Sequence, residues 1–413
     1  MKIFADLHIH SKYSAATSVN MNIHTIAYYA MIKGLQIVGT GDITHPKWFK
    51  EVSELLIPDG DTNLLKLKEK PQLPIRFMIT TEVATVYFDA GKTRKIHHLL
   101  LIPSLDVAAQ ISDVLRKSGD LEVDGRPVLT LTSPELVEKI KQISELIEII
   151  PAHIWTPWWS ILGANSGYDS IKECYADQVH HIHALETGLS SDPPMNWRVS
   201  ELDRYTLISN SDSHSPQPYR LGREANVFEL DELSYIEILN VIRTKDPKRF
   251  LSTIETKPEY GKYHYSGHRN CEVSMSGIEA IKHGNKCPKC GKILTKGVEQ
   301  RVEELADRPQ GYMPKDVPWF HHLLPLHEVI ATVIGASSPY VKSVQMIYDN
   351  LIKAFGNEFS VMIFAPLAEI ERVAGKEIAI TIQAVREDSI KVIPGYDGLY
   401  GKIVIESLQK KLI

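Results

Sequence analysis

Short apolar runs that end in polar residues recur through the first half of the chain. KIFADLHIH, LQIVGTGD, IRFMITTEVAT, IHHLLLIP, EIIPAHI, HIHALETG and YTLISNSDSH each read as a β-strand that closes on acidic, histidine or hydroxyl side chains. Segments of helical period lie between several of them, such as NIHTIAYYAMIKG, which stops at Gly34. Strand, helix, strand repeated this often predicts an α/β fold with a parallel sheet and crossover connections. Seven such strands in about 220 residues favour closure into a barrel over an open sheet. Barrel chemistry sits at the carboxyl ends of the strands, and the polar residues fall there.

The pattern changes near residue 250. ETKPEYGKYHYSGHRNCEV has aromatics, glycines and basic residues but no long period, and a Cys/His-rich stretch follows to about residue 300. Beyond it, LLPLHEVIATVIG reads as a core helix and VKSVQMIYDNLIKAF as a second helix, while KEIAITIQAV and KIVIES read as strands. The expected division is a barrel over 1–250, a metal-binding module over 251–305 and a mixed α+β domain over 306–413.

Composition narrows the class. A chain of 413 residues is long enough for two or three domains, and 43% hydrophobic content supplies a sizeable core. The net charge of −5 argues against non-specific coating of nucleic acid. It leaves a nuclease open, because metal-binding carboxylates count as negative until the metal arrives. MKIFADLHIHSKYS lacks a basic-then-apolar leader, and no apolar run reaches membrane-spanning length. Three of the four cysteines lie within twenty residues, which points to metal binding in a reducing compartment. The expectation is a soluble cytoplasmic protein with no membrane partner.

The strand ends carry metal-ligand chemistry. Asp6, His8 and His10 share one face of the first strand, since residues two apart point the same way. Asp42 follows IVGTG with His45 close behind, Glu82 follows MITT, His153 follows EIIPA, and Asp212 and His214 follow LISN. His97 and His98 project to opposite faces, so one of them is expected to ligate, with His97 preferred. Imidazole and carboxylate together suit Zn, Mn or Fe, and separate strands delivering them to one rim argue for a shared site. Glu82, Asp212 and His214 are the candidate catalytic residues.

A second constellation is His268-x2-Cys271 followed by Cys287-x2-Cys290, the arrangement of a closed tetrahedral zinc site. His264 and His283 are alternative fourth ligands. Between Arg269 and Arg301 there are seven basic side chains against three acidic ones, an excess suited to a phosphate backbone.

The order DLHIHS, GD with a nearby His, TTE, IHH, PAH and SDSH resembles the polymerase-and-histidinol-phosphatase (PHP) superfamily. That resemblance covers about residues 1–225 and implies a distorted seven-fold β/α barrel holding two or three divalent ions (Zn, Mg or Mn). It maps one ion to His8, His10, Glu82 and Asp212, a second to Glu82, His97 and His153, and a third to Asp42 and His214. GDITH stands where many members have adjacent Asp-His, which leaves the third ion's ligands open.

PAHIWTPW, ETGLSSDPPMNW, GKYHYSGHRNC with CPKC, RVEELADRP and PGYDGLYGK extend the similarity over nearly the whole chain to the endonuclease Q family of that superfamily. This implies a nick 5′ of deaminated bases such as uracil and hypoxanthine, and of abasic sites. DNA is then the partner, and the reading leaves a replication sliding clamp open as a further one. Reading a damaged base calls for extruding it into a pocket. Trp155, Trp158, Ser191 and Asp192, just past strand ends, are the candidate pocket residues. A small-molecule phosphatase or a 3′–5′ exonuclease on the same barrel is the alternative.

Overall fold

The computed structural model describes residues 1–404. Ten strands organise the part that carries the site: β1 (Lys2–Asp6), β2 (Ile37–Gly39), β3 (Arg76–Asp89), β4 (Lys92–Ile102), β5 (Glu148–Pro151), β6 (Ala184–Glu186), β7 (Thr206–Ile208), β8 (Ala225–Glu229), β9 (Phe250–Glu255) and β10 (Trp319–His322). β1 pairs parallel with β2, and β2 parallel with β3. β3, β4 and β5 continue the wall antiparallel. β6 and β7 pair parallel. The ring closes through Ile154 N donating to Glu186 O at 3.0 Å and His10 N donating to Ser213 O at 2.9 Å. The result is a distorted seven-strand β/α barrel.

The expectation of parallel crossovers fails between β3 and β4. Ala90 and Gly91 both adopt positive φ, 49° and 77°, and join the strands as a tight hairpin with Asp89 opposite Lys92. Two adjacent left-handed residues suit the right-handed twist of a hairpin, so local turn geometry sets this connection.

Alternate residues of each strand enter different cores. Leu7, Ile37, Met78, Leu99, Ile150 and Ile208 form one cluster, met by the helix Tyr235–Thr244 through Ile238, Leu239 and Ile242. Val38, Phe77, Leu100, Ile149 and Leu185 face the other side, toward helices that include α1 (Ile23–Lys33). Gly41 lets the chain after β2 lie against the tail of β1: at φ +62° a Cβ there would sit 2.2 Å from Ile9 O.

β8 and β9 extend the sheet beyond β1, and β10 joins β9. The Cys/His stretch forms a small hairpin, Ser266–His268 with Val273–Met275, braced by α2 (Val298–Leu305). A helical unit follows: α3 (Leu326–Val333), α4 (Lys342–Phe355), α5 (Leu367–Ala374) and α6 (Lys376–Arg386). KEIAITIQAV is therefore a helix and not a strand. Its Ile378, Ala379, Ile382 and Val385 recur at helical spacing and are buried, so packing overrides the β-branched composition. Of KIVIES, Lys402–Val404 forms a strand with Lys391–Ile393, and the rest lies outside the described residues.

Candidate active site

The carboxyl end of the barrel gathers its side chains on Glu82. Oε1 of Glu82 lies 2.9 Å from His97 Nδ1, 3.1 Å from His153 Nε2 and 3.6 Å from His8 Nε2. Its Oε2 lies 3.4 Å from His10 Nε2 and 3.0 Å from Arg126 Nη1. Oδ1 of Asp212 sits 3.0 Å from His10 Nε2 and 3.8 Å from both His8 Nε2 and His214 Nδ1. Three overlapping ligand sets result: His8, His10 and Glu82; Glu82, His97 and His153; His10, Asp212 and His214, each with its donor atoms within 4.8 Å of one another.

Buried His8 Nε2, His10 Nε2 and Asp212 Oδ1 have no hydrogen-bond partner. Unsatisfied buried polar atoms cost about 1–3 kcal/mol each, and cations at their meeting point would offset that cost. Imidazole and carboxylate donors fit divalent metals, with Glu82 placed to bridge.

Charge follows the same logic. Burial pushes Glu82 upward, but His97, Arg126 and His8 outweigh it and hold the carboxyl well below its ordinary range. Burial also opposes ionisation of Asp212, which His10 and His8 hold low. Burial lowers His97 to about 4 against the pull of Glu82.

A second layer of carboxylates orients the imidazoles. Both oxygens of Glu186, at the end of β6, lie 3.0 Å from His8 Nδ1. Glu186 also accepts from Asn210 Nδ2 at 2.8 Å and from the His153 backbone N–H at 2.9 Å. Asp42 Oδ1 lies 2.9 Å from His10 Nδ1, and Oδ2 accepts from Ser11 N and Ser14 Oγ at 2.6 and 3.0 Å. Carboxylates of this kind fix the tautomer and raise ligand basicity.

The structure thus gathers His8, His10, Glu82, His97, His153, Asp212 and His214 into ligand sets. Asp42 joins none, because its oxygens are committed to His10 and its neighbours. His98 faces away, near Thr85 and Tyr175, and burial lowers it to about 3. Asp6 pins β1 to the β7 loop by accepting from Ser211 and Gly222. His45 stacks on Tyr13. Trp155 is fully buried and donates to Asn196 Oδ1 at 2.8 Å, and buried Ser191 donates to Thr187 O at 3.0 Å. Asp192 caps a short helix and lies 3.1 Å from His322. Trp158 is 42% exposed and meets Tyr263 edge-on.

Two participants escape sequence reasoning. Glu186 stands in a recognisable strand, and its position at the strand end is the available signal, whereas Glu82 lies within β3. Arg126 comes from an irregular loop with no pattern. That loop folds onto the site because Gly125 rests against Asp42, where a Cβ would stand 2.4 Å from the carboxylate.

His268, Cys271, Cys287 and Cys290 also bring their ligand atoms within 4.8 Å, a donor set suited to a closed tetrahedral ion.

Residues 325–389 match the family model of the MJ0043 C-terminal domain. The chain is 36% identical to the lesion-specific endonuclease PfuEndoQ from Pyrococcus furiosus, with a TM-score of 0.87 over 99% of this chain and 97% of that one. The chain belongs to the endonuclease Q family. A structure of endonuclease Q with a 27-mer duplex carrying an abasic lesion at its active site matches at TM-score 0.87 and 36% identity, covering 99% and 98% of the two chains. An uncharacterized Methanocaldococcus jannaschii protein, MJ0043, is 37% identical over 251 residues, which are 60% of this chain. The chain spans only 31% of that relative's length.

Proposed function

We propose that this chain is a metal-dependent DNA repair endonuclease that hydrolyses the phosphodiester 5′ of deaminated bases (uracil, hypoxanthine, xanthine) and of abasic sites. The observation that carries the reading is the convergence of buried, unpartnered donor atoms of His8, His10 and Asp212 around Glu82. Ions held there would supply Lewis acidity, acidifying a water nucleophile and offsetting charge on the phosphate oxygens. Glu82 would bridge them. Glu186 and Asp42 hold His8 and His10 in ligating orientation. Arg126 adds a fixed cation at the rim, suited to a non-bridging phosphate oxygen. His214 is partly exposed, and with Nδ1 taken by the Asp212 carbonyl at 2.9 Å its Nε2 is free for an ion or the leaving-group proton.

Full-length similarity to a lesion-specific enzyme, and to one held on an abasic duplex, supports damaged DNA as the substrate class. We read 1–250 as the catalytic barrel, 251–305 as a zinc module and 306–413 as the third domain. Exposed Lys282, Lys286, Lys289 and Lys292 suit a grip on phosphates. Among the described residues no helix is long and apolar enough to cross a membrane.

The test is a labelled duplex carrying one uracil, hypoxanthine or abasic site, incubated with Mg²⁺, Mn²⁺ or Zn²⁺. A single nick 5′ of the lesion, absent from undamaged DNA and lost in Asp212→Ala, is expected. Phosphate release from small esters, or stepwise loss from a 3′ end, without that nick would reject the reading.

A further inference from the structure

A cleft of about 850 Å³ opens between the barrel and the Cys/His module. Its wall comes from the loop after β6, the segment after β9, the module and α2, and it contains none of the residues in the ligand sets above. His264, an alternative zinc ligand on sequence grounds, stands in this wall, while His268 completes the cysteine set. The ring is only 8% exposed, yet its Nδ1 has no hydrogen-bond partner. The start of α2 fixes the backbone behind it. Glu299 N donates to His264 O at 3.1 Å, and a Cβ on Gly297 would stand 2.5 Å from that oxygen.

Four carboxylates share the wall, and two of them are matched. Glu303 lies 2.5 Å from Arg198 Nη1, and Asp192 lies 3.1 Å from His322 Nε2. Glu259 and Glu299 have no ion pair among the described residues, and Glu299 Oε2 accepts only from Gly277 N, at 2.7 Å. Both act on His264: burial holds its pKa down, and Glu259, Glu299 and Asp192 pull it up. Two uncompensated carboxylates and an unpaired imidazole nitrogen therefore face one space. Beside them Pro194, Met195, Ile278 and Val302 present carbon surface, and the Tyr265 ring stacks on His264 with centroids 5.3 Å apart.

The excess negative charge repels phosphate and calls for a dication. A bare metal ion needs converging donors, and His264, Glu259 and Glu299 do not converge as the four ligand sets of the described residues do. Separated carboxylates with carbon surface beside them match an aliphatic chain that carries an ammonium at each end. Each ammonium would donate to a carboxylate, and one also to His264 Nδ1, beside the Tyr265 face. We propose that this cleft binds an aliphatic diammonium or polyammonium cation, with Glu259, Glu299 and His264 as its ligands. Because barrel and module both supply the wall, the bound cation ties one to the other. The site is independent of the nuclease reaction.

Titration calorimetry on the zinc-loaded full chain tests this, at physiological salt and without DNA, with 1,4-diaminobutane, spermidine and butylamine as probes. One diamine site is expected, retained in Mn²⁺-saturated protein, with butylamine bound at least about tenfold more weakly. Glu259→Gln and Glu299→Gln should each lower diamine affinity about tenfold and reduce the rise in melting temperature that the diamine gives wild type. Glu259 is partly exposed and its carboxylate braces no other segment, so Glu259→Gln guards against misfolding of the Glu299 variant. No binding at millimolar diamine, or undiminished affinity in both variants, would overturn the proposal. So would loss of the site in Mn²⁺-saturated protein, which would make it a metal site. Equal affinity for butylamine would also overturn it, and would reassign the cleft to a lysine side chain of a partner.

Discussion

Asp42, His153 and Asp212 all hold left-handed backbone, with φ of 45°, 31° and 47°. Such conformations cost of order 1–3 kcal/mol each and persist where the surroundings over-determine them. Here the surroundings are the ligand sets for His153 and Asp212 and the contacts to His10, Ser11 and Ser14 for Asp42, and each side chain turns inward just past its strand. The second layer works in the same way at single residues. Glu186→Gln keeps volume but removes the charge that polarises His8, so metal affinity should fall about 10–100-fold. Titration calorimetry with Mn²⁺ would measure it, and unchanged affinity would reduce Glu186 to a structural partner. Asp42 was legible as a ligand-type residue at a strand end. That it serves His10 was not legible, because a sequence does not tell which of two neighbouring carboxylates reaches the ion.

At the scale of elements, β9 carries an electrostatic cost. Glu255 ends that strand fully buried, and burial, with Asp192 adding to it, raises its carboxyl to about 8. Glu224 stands nearby and is also raised, by burial and by Glu255. A carboxyl whose folded pKa exceeds its unfolded value binds its proton more tightly when folded. Its contribution is fully present below about pH 4.5 and is lost as pH rises through about 8. Glu255→Gln should therefore flatten the decline in melting temperature between pH 6 and 9. Thermal unfolding in matched buffers checks this, and parallel curves for variant and wild type would refute it. The seven barrel strands were legible because short apolar runs repeat with polar ends. The hairpin of β3 and β4 and the helix α6 were not, because turn geometry and packing partner decide them.

Over the whole molecule, the helical unit is tied to the barrel by a buried ion pair. Lys33 Nζ at the end of α1 lies 2.7 Å from Glu358 Oε1 and donates to Pro218 O at 2.9 Å. Glu358 also accepts from Tyr348 Oη at 2.9 Å and Leu326 N at 3.1 Å. Removing one partner strands the other charge, so Glu358→Ala should destabilise by about 3–5 kcal/mol in denaturant unfolding. A loss below about 1 kcal/mol would mean that the pair is dispensable. The phosphate grip proposed for the lysines of the Cys/His module would act at longer range. Replacing Lys286, Lys289 and Lys292 with alanine should lower the slope of log K against log salt by about 0.9 for each phosphate left without a cation. An unchanged slope would place DNA elsewhere. Finally, Cys287→Ser should release the module's ion and lower DNA affinity, read by metal analysis and anisotropy.

The sequence by itself determined the ligand chemistry and its order along the chain. Strand periodicity places His8 with His10 on one face and separates His97 from His98, and the Cys/His spacing marks a second centre. Those are local properties, set by two-residue alternation and short loops. Only the tertiary structure decided that Asp42 and Glu186 hold His10 and His8, and that Arg126 reaches Glu82 from an unpatterned loop. It also decided that Trp155 and Ser191 belong to the core, while residues more than a hundred positions apart, Arg220 and Glu328, share a cavity. Those outcomes depend on barrel closure and on the docking of α3, contacts between distant segments that no local pattern encodes.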